Sequence, residues 1–434
     1  MHIYRKIIIF ILTVESRLII KRYKPFIVAV TGSVGKTATK DAIFCALSSC
    51  GHVRKTEKNL NNEFGLPLTI IGIPTAFRSL GGWVKNIYTG LEIIFARKSE
   101  VKYPEILVLE IGADHPNDIK RVVKWLHPDI AVMTRVGDKP VHVEFFESPQ
   151  QVFEEKSALA FAVKSGGSVV LFADEPKIVA LGEKIKNASI TTFGFSEAAS
   201  IRGLNYKIVY ENSTVPTGFS FEIYIDQKTF PIIVNKVIGQ TFMYPILAAV
   251  AVAKAKGLSI DTIIKNVSEY EAPNGRMNII PGIKGSILID DTYNSSPDAV
   301  IAALEAVKSL NCTGRKIAVL GDMMELGQYS AEEHRNIGKI ITGYADMLVT
   351  VGPRAKSIAD EAIAGGMSKD VISSYSSSVE AGEALVNVVK EGDIVLVKGS
   401  QSVRLERATK LLLREPKKAD RLLVRQEKEW LEKK

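Results

Sequence analysis

Cysteine is scarce in this sequence, which contains only Cys45, Cys50 and Cys312. Three cysteines at such uneven spacing do not make a disulfide framework, and the first two lack the paired spacing of a zinc site. Internal repeats and low-complexity tracts are also lacking, which argues against a repeat protein. We therefore expect a folded protein of the reducing cytoplasm.

A convincing secretory signal is lacking as well. Residues 7–14 are apolar except for Thr13 and follow basic residues, but Glu15 interrupts this short run and no small-residue cleavage site follows. We predict that residues 3–21 form an amphipathic helix, within an N-terminal segment 1–25, that packs on the domain after it. A peripheral membrane anchor is the alternative.

Length and composition describe a folded chain of two or three domains, with 434 residues, 46% of them apolar and 24% charged. The net charge is +8, and residues 404–434 hold 11 Lys or Arg against 6 Asp or Glu. Mixed signs there favour a solvated helical surface, and no aromatic-interleaved basic motif is present, so we expect no nucleic-acid partner. Contact with a membrane surface or a polyanionic substrate stays open.

The strongest local pattern is VAVTGSVGKTATK at residues 28–40, where an apolar run meets a glycine-containing turn and a helix-compatible segment. Glycines let the backbone approach a phosphate, and the helix start offers N–H groups and a positive dipole. Lys36 can reach the outer phosphates and the Thr37 hydroxyl can bind Mg²⁺. The pattern predicts a nucleotide phosphate site.

This motif is incomplete, because Val30 stands where the first glycine of the standard phosphate loop belongs. An ordinary turn between a strand and a helix is therefore the alternative. The placement between an apolar strand and a helix favours phosphate binding.

A second buried-strand pattern, residues 106–110, ends in Glu110. Open α/β sheets bind ligands at the carboxyl ends of their strands, so Glu110 is placed to face the phosphate loop and help hold a metal. A carboxylate at a loop tip is the alternative. Residues 130–134 predict a third strand, and the asparagines of residues 59–62 predict a solvated turn.

The rest of the chain predicts two further regions. Short strands are expected at 168–172, 189–195, 206–210, 218–224 and 229–234, which we interpret as an added antiparallel sheet, followed by a helix at 245–256. After a turn at 272–275, strands at 286–290, 316–320, 347–351 and 393–397 alternate with helices, one of them beginning near Ser330. We expect an α/β fold with a P-loop ATPase central domain and added antiparallel strands at 26–272. A Rossmann-like α/β C-terminal domain with a basic helical tail is expected at 273–434.

Seven segments together resemble one family. They are TGSVGKT at 31–37, NLNNEFGLPLT at 59–69, LEIGADH at 109–115, GRMN at 275–278, DDTYNSSP at 290–297, VLGDMMELG at 319–327 with His334, and VKGSQSVRLE at 397–406. In this order they resemble the Mur ligase superfamily, ATP-dependent amide-forming enzymes of peptidoglycan synthesis. The second and sixth segments resemble most the branch that adds D-alanyl-D-alanine.

The resemblance implies ATP and Mg²⁺ as cofactors. In this family a strand-end glutamate, a loop histidine and a lysine that is often carbamylated build a metal site, and the matching positions are Glu110, His142 and Lys156, with Thr37. A carbamylated lysine presents oxygen, which Mg²⁺ prefers. Taken alone, an isolated histidine is more often structural and an isolated lysine usually faces water.

The remaining site residues are also carried over from the resemblance. The implied catalytic residues are Lys36, Lys156, His142 and Arg276. The implied nucleotide-binding residues are Thr31, Gly32, Ser33, Val34, Gly35, Lys36 and Thr37, with Arg276, Asp291, Tyr293 and Asn294. Asn61, Asn62 and Asp322 are expected near the acceptor, and Lys398, Ser400 and Arg404 are expected to face the cleft from the last domain.

Three departures from the family pattern bear on the substrates. Only about 25 residues precede the first strand, where family members carry a domain that binds the UDP-sugar of the donor. The segment GQTFMYP at 239–245 replaces a family motif that contacts the nucleotide, and Ser296 replaces an asparagine. The first departure puts the donor in doubt, and the second bears on ATP binding.

The expected reaction is amide formation through an acyl phosphate, with a UDP-muramoyl-peptide as donor and D-Ala-D-Ala as acceptor. We expect a cytoplasmic monomer whose two nucleotide-binding domains close over the substrates. One alternative is a related ligase for another acid, of the polyglutamate or cyanophycin type. The other is a nucleotide-binding regulatory subunit without turnover.

Overall fold

The structure is a computed structural model that describes residues 2–57, 60–76, 79–138 and 143–432. Up to residue 194 the elements are α1 His2–Tyr23, β1 Phe26–Thr31, α2 Lys36–Ala46, β2 Val53–Lys55, α3 Gly65–Ile71, α4 Leu80–Phe95, β3 Ile106–Glu110, α5 Asp118–Val122, β4 Ile130–Met133, α6 Pro149–Phe161, β5 Ser168–Phe172, α7 Pro176–Lys184 and β6 Ser189–Gly194.

The later elements are β7 Ile201–Tyr210, β8 Pro216–Ile225, β9 Lys228–Asn235, α8 Met243–Lys256, α9 Ile260–Ser268, β10 Asn278–Pro281, β11 Ile287–Asp291, α10 Pro297–Lys308, β12 Lys316–Gly321, α11 Ser330–Ile341, β13 Met347–Val351, α12 Lys356–Ala364, β14 Ile372–Tyr375, α13 Ser378–Val388, β15 Ile394–Lys398, α14 Glu406–Leu412, α15 Ala419–Leu422 and α16 Lys428–Leu431.

The chain forms two compact units. The first consists of Met1–Leu204, Ile223–Phe230 and Met243–Tyr270, and the second of Asn205–Glu222, Pro231–Phe242 and Glu271–Lys434. No described helix is long and apolar enough to cross a membrane.

The first unit is built on a parallel sheet in the order β2-β3-β1-β4-β5-β6. Its central strands are buried apolar runs, as expected of strands covered on both faces. On one side α2 packs against α8, a helix in which half of the residues are alanine or valine and residues 245–253 are all buried. The N-terminal helix α1 packs against α3 and α4.

The prediction of an antiparallel sheet was wrong for the pairs β5–β6 and β6–β7, which are both parallel. β5 and β6 continue the parallel sheet, because the helix α7 between them returns the chain to the same edge. The sheet order continues through β7, β8 and β9, whose residues are divided between the two units. β8 and β9 are joined by the two-residue turn Asp226-Gln227, whose positive φ angles are those of an antiparallel hairpin.

The second unit contains a sheet in the order β10-β11-β15-β12-β13-β14. β10 is antiparallel to β11, and all other neighbours are parallel. Helices alternate with these strands, which confirms the predicted mostly parallel α/β arrangement. In both units the carboxyl ends of central strands therefore meet at one edge of the sheet, where α/β proteins place their ligands.

Candidate active site

The predicted phosphate loop lies between β1 and α2. Gly35 has φ +85° and precedes the first helical residue, Lys36, so a left-handed backbone starts the helix. Gly32 has φ +145°, and a Cβ there would lie 1.9 Å from Thr134 Oγ1. Both positions therefore require glycine. Gly35 needs it for its positive φ angle, and Gly32 needs it both for its φ angle and because Thr134, just after β4, lies so close.

Residues that follow β4 hold the loop in place. Thr134 Oγ1 donates to the Val34 carbonyl at 2.8 Å, and the backbone N–H groups of Ser33 and Val34 donate to the Arg135 carbonyl at 2.9 and 3.1 Å. These two N–H groups therefore have partners within the protein. The remaining donors are at the start of α2, where the first N–H groups have no acceptor within the helix. The hydroxyls of Thr31 and Ser33 are buried without a hydrogen-bond partner.

Glu110 ends β3, which is the direct neighbour of β1 with Val30 opposite Glu110. Its Oε1 accepts a hydrogen bond from Asn61 Nδ2 at 2.9 Å, while Oε2 is buried without a hydrogen-bond partner. A buried carboxylate oxygen without a partner is costly. This oxygen is therefore suited to a cation.

Lys156 is buried in α6, and burial lowers the pKa of its amine to about 7, with the positive charge of Lys36 acting in the same direction. Its neighbour Glu155 faces differently and accepts hydrogen bonds from the N–H groups of Asn117, Ile119 and Lys120. Glu155 thereby fixes α6 against α5, and Lys156 on the same helix lies near enough to Lys36 for the two charges to interact.

These residues fit a divalent cation in their chemistry. Glu110 offers an unpartnered buried oxygen, Thr37 is the second residue of α2, and Lys156 has an amine that is neutral above about pH 7. His142 lies outside the described residues. Within the described part of the chain no group of three or more His, Cys, Asp or Glu side chains is arranged to hold a metal. The metal site therefore stays a prediction, and it depends on a modified lysine.

Asn62 stabilises the turn that precedes helix α3. Asn62 Oδ1 accepts hydrogen bonds from the N–H groups of Phe64 and Gly65. Asn59 lies outside the described residues, and the turn at residues 62–64 leads directly into the buried helix α3, which begins at Gly65 and has Pro67 in its first turn. Asn61, by contrast, reaches Glu110.

In the second unit, Asp291 and Lys398 lie side by side at the carboxyl ends of β11 and β15. Lys398 Nζ is 2.6 Å from Asp291 Oδ2 and donates to the Asn294 carbonyl at 3.0 Å. Both side chains are buried, so the lysine fixes the aspartate and the start of the loop that follows.

That loop carries Tyr293, which stacks against Arg276. The Arg276 guanidinium carbon lies 4.2 Å from the Tyr293 ring centroid, and its Nε is buried without a hydrogen-bond partner. Tyr293 is also held from the C-terminal tail, because the buried Arg425 donates to the Thr292 and Tyr293 carbonyls and to Glu406. The tail is therefore not the purely solvated surface that we expected.

Four other motif residues are bound within the second unit. Asp322 accepts hydrogen bonds from the N–H groups of Arg354 and Ala355, and Ser400 Oγ accepts one from Met324 N. His334 is buried, and its Nε2 accepts from Met323 N while Nδ1 contacts the Ser330 carbonyl. Arg404 donates to Glu406 and to the Trp430 carbonyl. These contacts shape the loops after β12 and β15, and any contact with a substrate stays a prediction.

The segment that departs from the family pattern is divided between the units, and its last three residues, 243–245, belong to the first. Tyr244 donates to Asp174 Oδ2 at 2.9 Å and stacks on Phe195 with a centroid distance of 4.1 Å. Burial and the neighbouring Asp174 raise the Tyr244 pKa. Asp174 also accepts from the N–H groups of Phe195 and Ser196, so the tyrosine completes a hydrogen-bonded network at the end of β5.

Sequence reasoning missed Thr134, Glu155, Glu406 and Arg425. Thr134, Glu155 and Arg425 lie 35 or more positions along the chain from the backbone groups that they bind. Glu406 ends the segment at 397–406, but that segment does not predict its ion pairs with Arg404 and Arg425. The mixed charges of residues 404–434 were the available signal for Arg425, and we interpreted them as a surface.

Comparison with known proteins gives two domain matches. Residues 85–253 match the Mur ligase middle domain, and residues 275–401 match the Mur ligase glutamate ligase domain. The chain is similar to the UDP-N-acetylmuramoyl-tripeptide–D-alanyl-D-alanine ligase of Bacillus subtilis, with 28% identity over 391 residues that cover 90% of this chain and 76% of the relative.

Solved structures agree with these matches. MurF ligase from Thermotoga maritima, solved in complex with ADP, is 27% identical with a TM-score of 0.75, covering 95% of this chain and 84% of that one. Folylpolyglutamate synthase from Mycobacterium tuberculosis, solved with ADP and AMPPCP, has a TM-score of 0.62 at 15% identity, covering 90% and 93%. The latter likeness concerns the fold alone.

Proposed function

This chain belongs to the Mur ligase superfamily, and from that premise we propose that it joins a carboxylate to an amine with ATP, through an acyl phosphate. The observation that carries the proposal is the arrangement at the carboxyl ends of β1 and β3. A glycine-dependent phosphate loop lies there beside Glu110, whose Oε2 is buried without a partner. The ADP complex of the Thermotoga maritima relative supports an adenine nucleotide at this loop.

In the proposed reaction, an oxygen of the donor carboxylate attacks the γ-phosphorus of ATP, and the bond to ADP breaks. The amine of the acceptor then attacks the acyl carbonyl, the C–O bond to phosphate breaks, and the amine loses a proton. Lys36 and the N–H groups at the start of α2 would stabilise the charge on the transferring phosphoryl group.

Mg²⁺ would be held by Thr37, Glu110 and Lys156 in its carbamylated form, with His142 as a further candidate. Bound there, it would neutralise charge on the phosphates. Arg276 is proposed to contact phosphate. Its Nε is buried without a hydrogen-bond partner, and its guanidinium is held by Tyr293, which supports a positioned cation.

We propose D-Ala-D-Ala as the acceptor and a UDP-muramoyl-peptide as the donor. The Bacillus subtilis relative, whose name carries both the tripeptide donor and D-alanyl-D-alanine, supports this choice over a polyglutamate-type ligase. The likeness to folylpolyglutamate synthase concerns the fold alone and favours no second substrate. A location in the cytoplasm stays a prediction.

The test measures phosphate release from ATP over a panel of acids and amines, with and without D-Ala-D-Ala. The native chain should require both donor and D-Ala-D-Ala, and Lys36→Ala should lose activity by at least about 10²-fold because charge stabilisation at the phosphoryl group is removed. Lys124→Ala, which alters an exposed lysine of the same unit, should retain activity.

Two results would contradict the proposal. Stimulation by glutamate alone would move the chain to another ligase class, and near-normal turnover of Lys36→Ala would show that the loop is not the phosphate site. Thermal unfolding of both variants must match that of the native chain, so that a loss of activity reflects chemistry.

A further inference from the structure

Helix α4 exposes a continuous apolar stripe. Its members are spaced four, four, three and four residues apart, which places them on one face of the helix. They are Leu80, Val84, Tyr88, Leu91 and Phe95. Their side chains are 41% to 79% exposed, although they are large and apolar. The opposite face, with Trp83, Asn86 and Gly90, is buried in the first unit.

The neighbouring helix α1 exposes apolar side chains in the same way. Tyr4, Ile7, Phe10 and Leu18 are 46% to 69% exposed. The other face of α1 is buried and includes Leu12, Ser16 and Ile19. α1 therefore has an anchored side and a free apolar side, like α4.

Specific contacts hold the two helices to each other. Tyr23 OH donates to the Ile93 carbonyl at 2.9 Å, and Arg22 donates to the Ala96 carbonyl. Glu15 lies against Gly90, where a Cβ would be 2.2 Å from its Oε2. The apolar residues of α1 and α4 thus belong to one packed helix pair, which we call the α1–α4 face.

Exposed basic side chains outnumber exposed acidic ones on these two helices and the segments that flank them. Among the described side chains of residues 4–24 and 80–102, the exposed basic ones are Lys6, Arg17, Lys21, Lys24, Lys85, Arg97, Lys98 and Lys102, whereas the exposed acidic ones are Glu92 and Glu100. Soluble monomers rarely expose apolar stripes of this kind. The excess of basic over acidic side chains favours a negatively charged partner.

We propose that the α1–α4 face binds the surface of an anionic lipid bilayer, with both helices lying in the plane of the interface. Apolar side chains would enter the boundary between headgroups and acyl chains, and the lysines and arginines would contact anionic headgroups. No described helix can cross the bilayer, so binding is peripheral. A docking protein would explain the apolar stripe, but the eight-to-two excess of exposed basic over acidic side chains favours lipid.

The experiment is co-sedimentation of the full chain with vesicles of phosphatidylcholine alone or with phosphatidylglycerol. The native chain should bind the anionic vesicles and lose binding as salt rises. Tyr88→Asp with Phe95→Asp should reduce the partition coefficient by about tenfold or more, because two large apolar side chains are lost from the interface. Arg97→Glu with Lys98→Glu should give a similar loss and a weaker salt dependence.

Matched controls alter exposed residues of the same kinds elsewhere in the chain. Phe161→Asp with Ile233→Asp changes two apolar side chains that are each 54% exposed, and Lys124→Glu with Lys186→Glu changes two exposed lysines. Both controls should bind vesicles like the native chain, and all variants should keep ATP turnover on water-soluble substrates.

Three outcomes would overturn the inference. The first is that the native chain does not sediment with anionic vesicles. The second is that the control variants lose as much vesicle binding as the variants of the α1–α4 face. The third is a change in oligomeric mass, by light scattering, for the α4 double variant without a change in vesicle binding, since that result would identify the face as a protein contact.

Discussion

Asn61 Nδ2 donates a hydrogen bond of 2.9 Å to Glu110 Oε1, which leaves Glu110 Oε2 buried with no hydrogen-bond partner. The two residues come from different motifs, 49 positions apart in the chain. The amide fixes the orientation of the carboxylate and leaves one oxygen for a cation. Asn61 is therefore a positioning residue for Glu110.

Variants at these two positions should distinguish the proposed binding of Mg²⁺ by Glu110 from the orientation of Glu110 by Asn61. Glu110→Gln should reduce activity by about 10²-fold or more because it removes the proposed oxygen ligand. Asn61→Ala should raise the Mg²⁺ concentration for half-maximal activity by about tenfold, since a partner behind a metal ligand typically contributes that much. Titrations of activity with Mg²⁺ measure both. Asn187→Ala, at an exposed position of the same unit, is the control. An unchanged Mg²⁺ requirement in Asn61→Ala would refute the positioning role.

Lys156 should react with carbon dioxide near neutral pH. Burial and the charge of Lys36 lower its pKa to about 7, so the amine is largely neutral above that pH and can attack CO₂ with loss of a proton. Carbon-13 NMR with labelled bicarbonate should show a carbamate signal in the native chain and in Lys124→Ala. The signal should be absent in Lys156→Ala, and activity should fall after removal of CO₂. A signal that survives Lys156→Ala would place the carbamate elsewhere.

Glu15 should make the protein less stable as the pH rises. Burial raises its pKa from 4.5 to about 7, so the folded chain binds this proton more tightly than the unfolded chain. The free energy of unfolding therefore falls between about pH 4.5 and 7, by as much as about 3 kcal/mol. Glu15→Gln should remove most of this fall and raise stability at pH 8.

Urea unfolding of the Glu15→Gln variant at pH 5.5 and 8 measures this effect. Glu92→Gln, at an exposed position of α4, should leave the pH dependence as it is. The free energy of unfolding of Glu15→Gln will still fall somewhat as the pH rises. Burial also raises the pKa of Asp290 to about 7, so this carboxyl contributes a fall of the same sign. Equal stability of Glu15→Gln and the native chain at pH 8 would contradict the prediction.

Arg425 should be required for the loop that carries Tyr293. Arg425→Met leaves the Thr292 and Tyr293 carbonyls without their donor and removes one of two arginines from the buried Glu406. Loss of one partner from a buried charged group typically costs about 3 kcal/mol or more. Denaturant unfolding measures the loss, and Arg421→Met, at an exposed position of the same tail, should change stability by less than about 0.5 kcal/mol.

Much of the fold could be predicted where a short segment determines its own structure. The strands that end at Glu110 and Val351 and the helix that begins at Ser330 follow from apolar runs and a polar start, and the structure confirms them. The pairing of β5 with β6 could not be predicted in this way. Both strands have patterns that suit either direction, and the intervening helix decides the direction.

The candidate site shows the same difference between features that depend on neighbouring residues and features that depend on distant ones. By itself, the sequence determined the loop at residues 31–37, because the φ angles of Gly32 and Gly35 and the start of α2 depend on residues that are adjacent in the chain. Only the tertiary structure decided which groups complete or support it. Asn61 contacts Glu110 across 49 positions of the chain, and Thr134 contacts Val34 across 100. Arg425 contacts Thr292 across 133 positions. Such contacts exist only after the sheets assemble, since distant residues meet where strand order and packing bring them together.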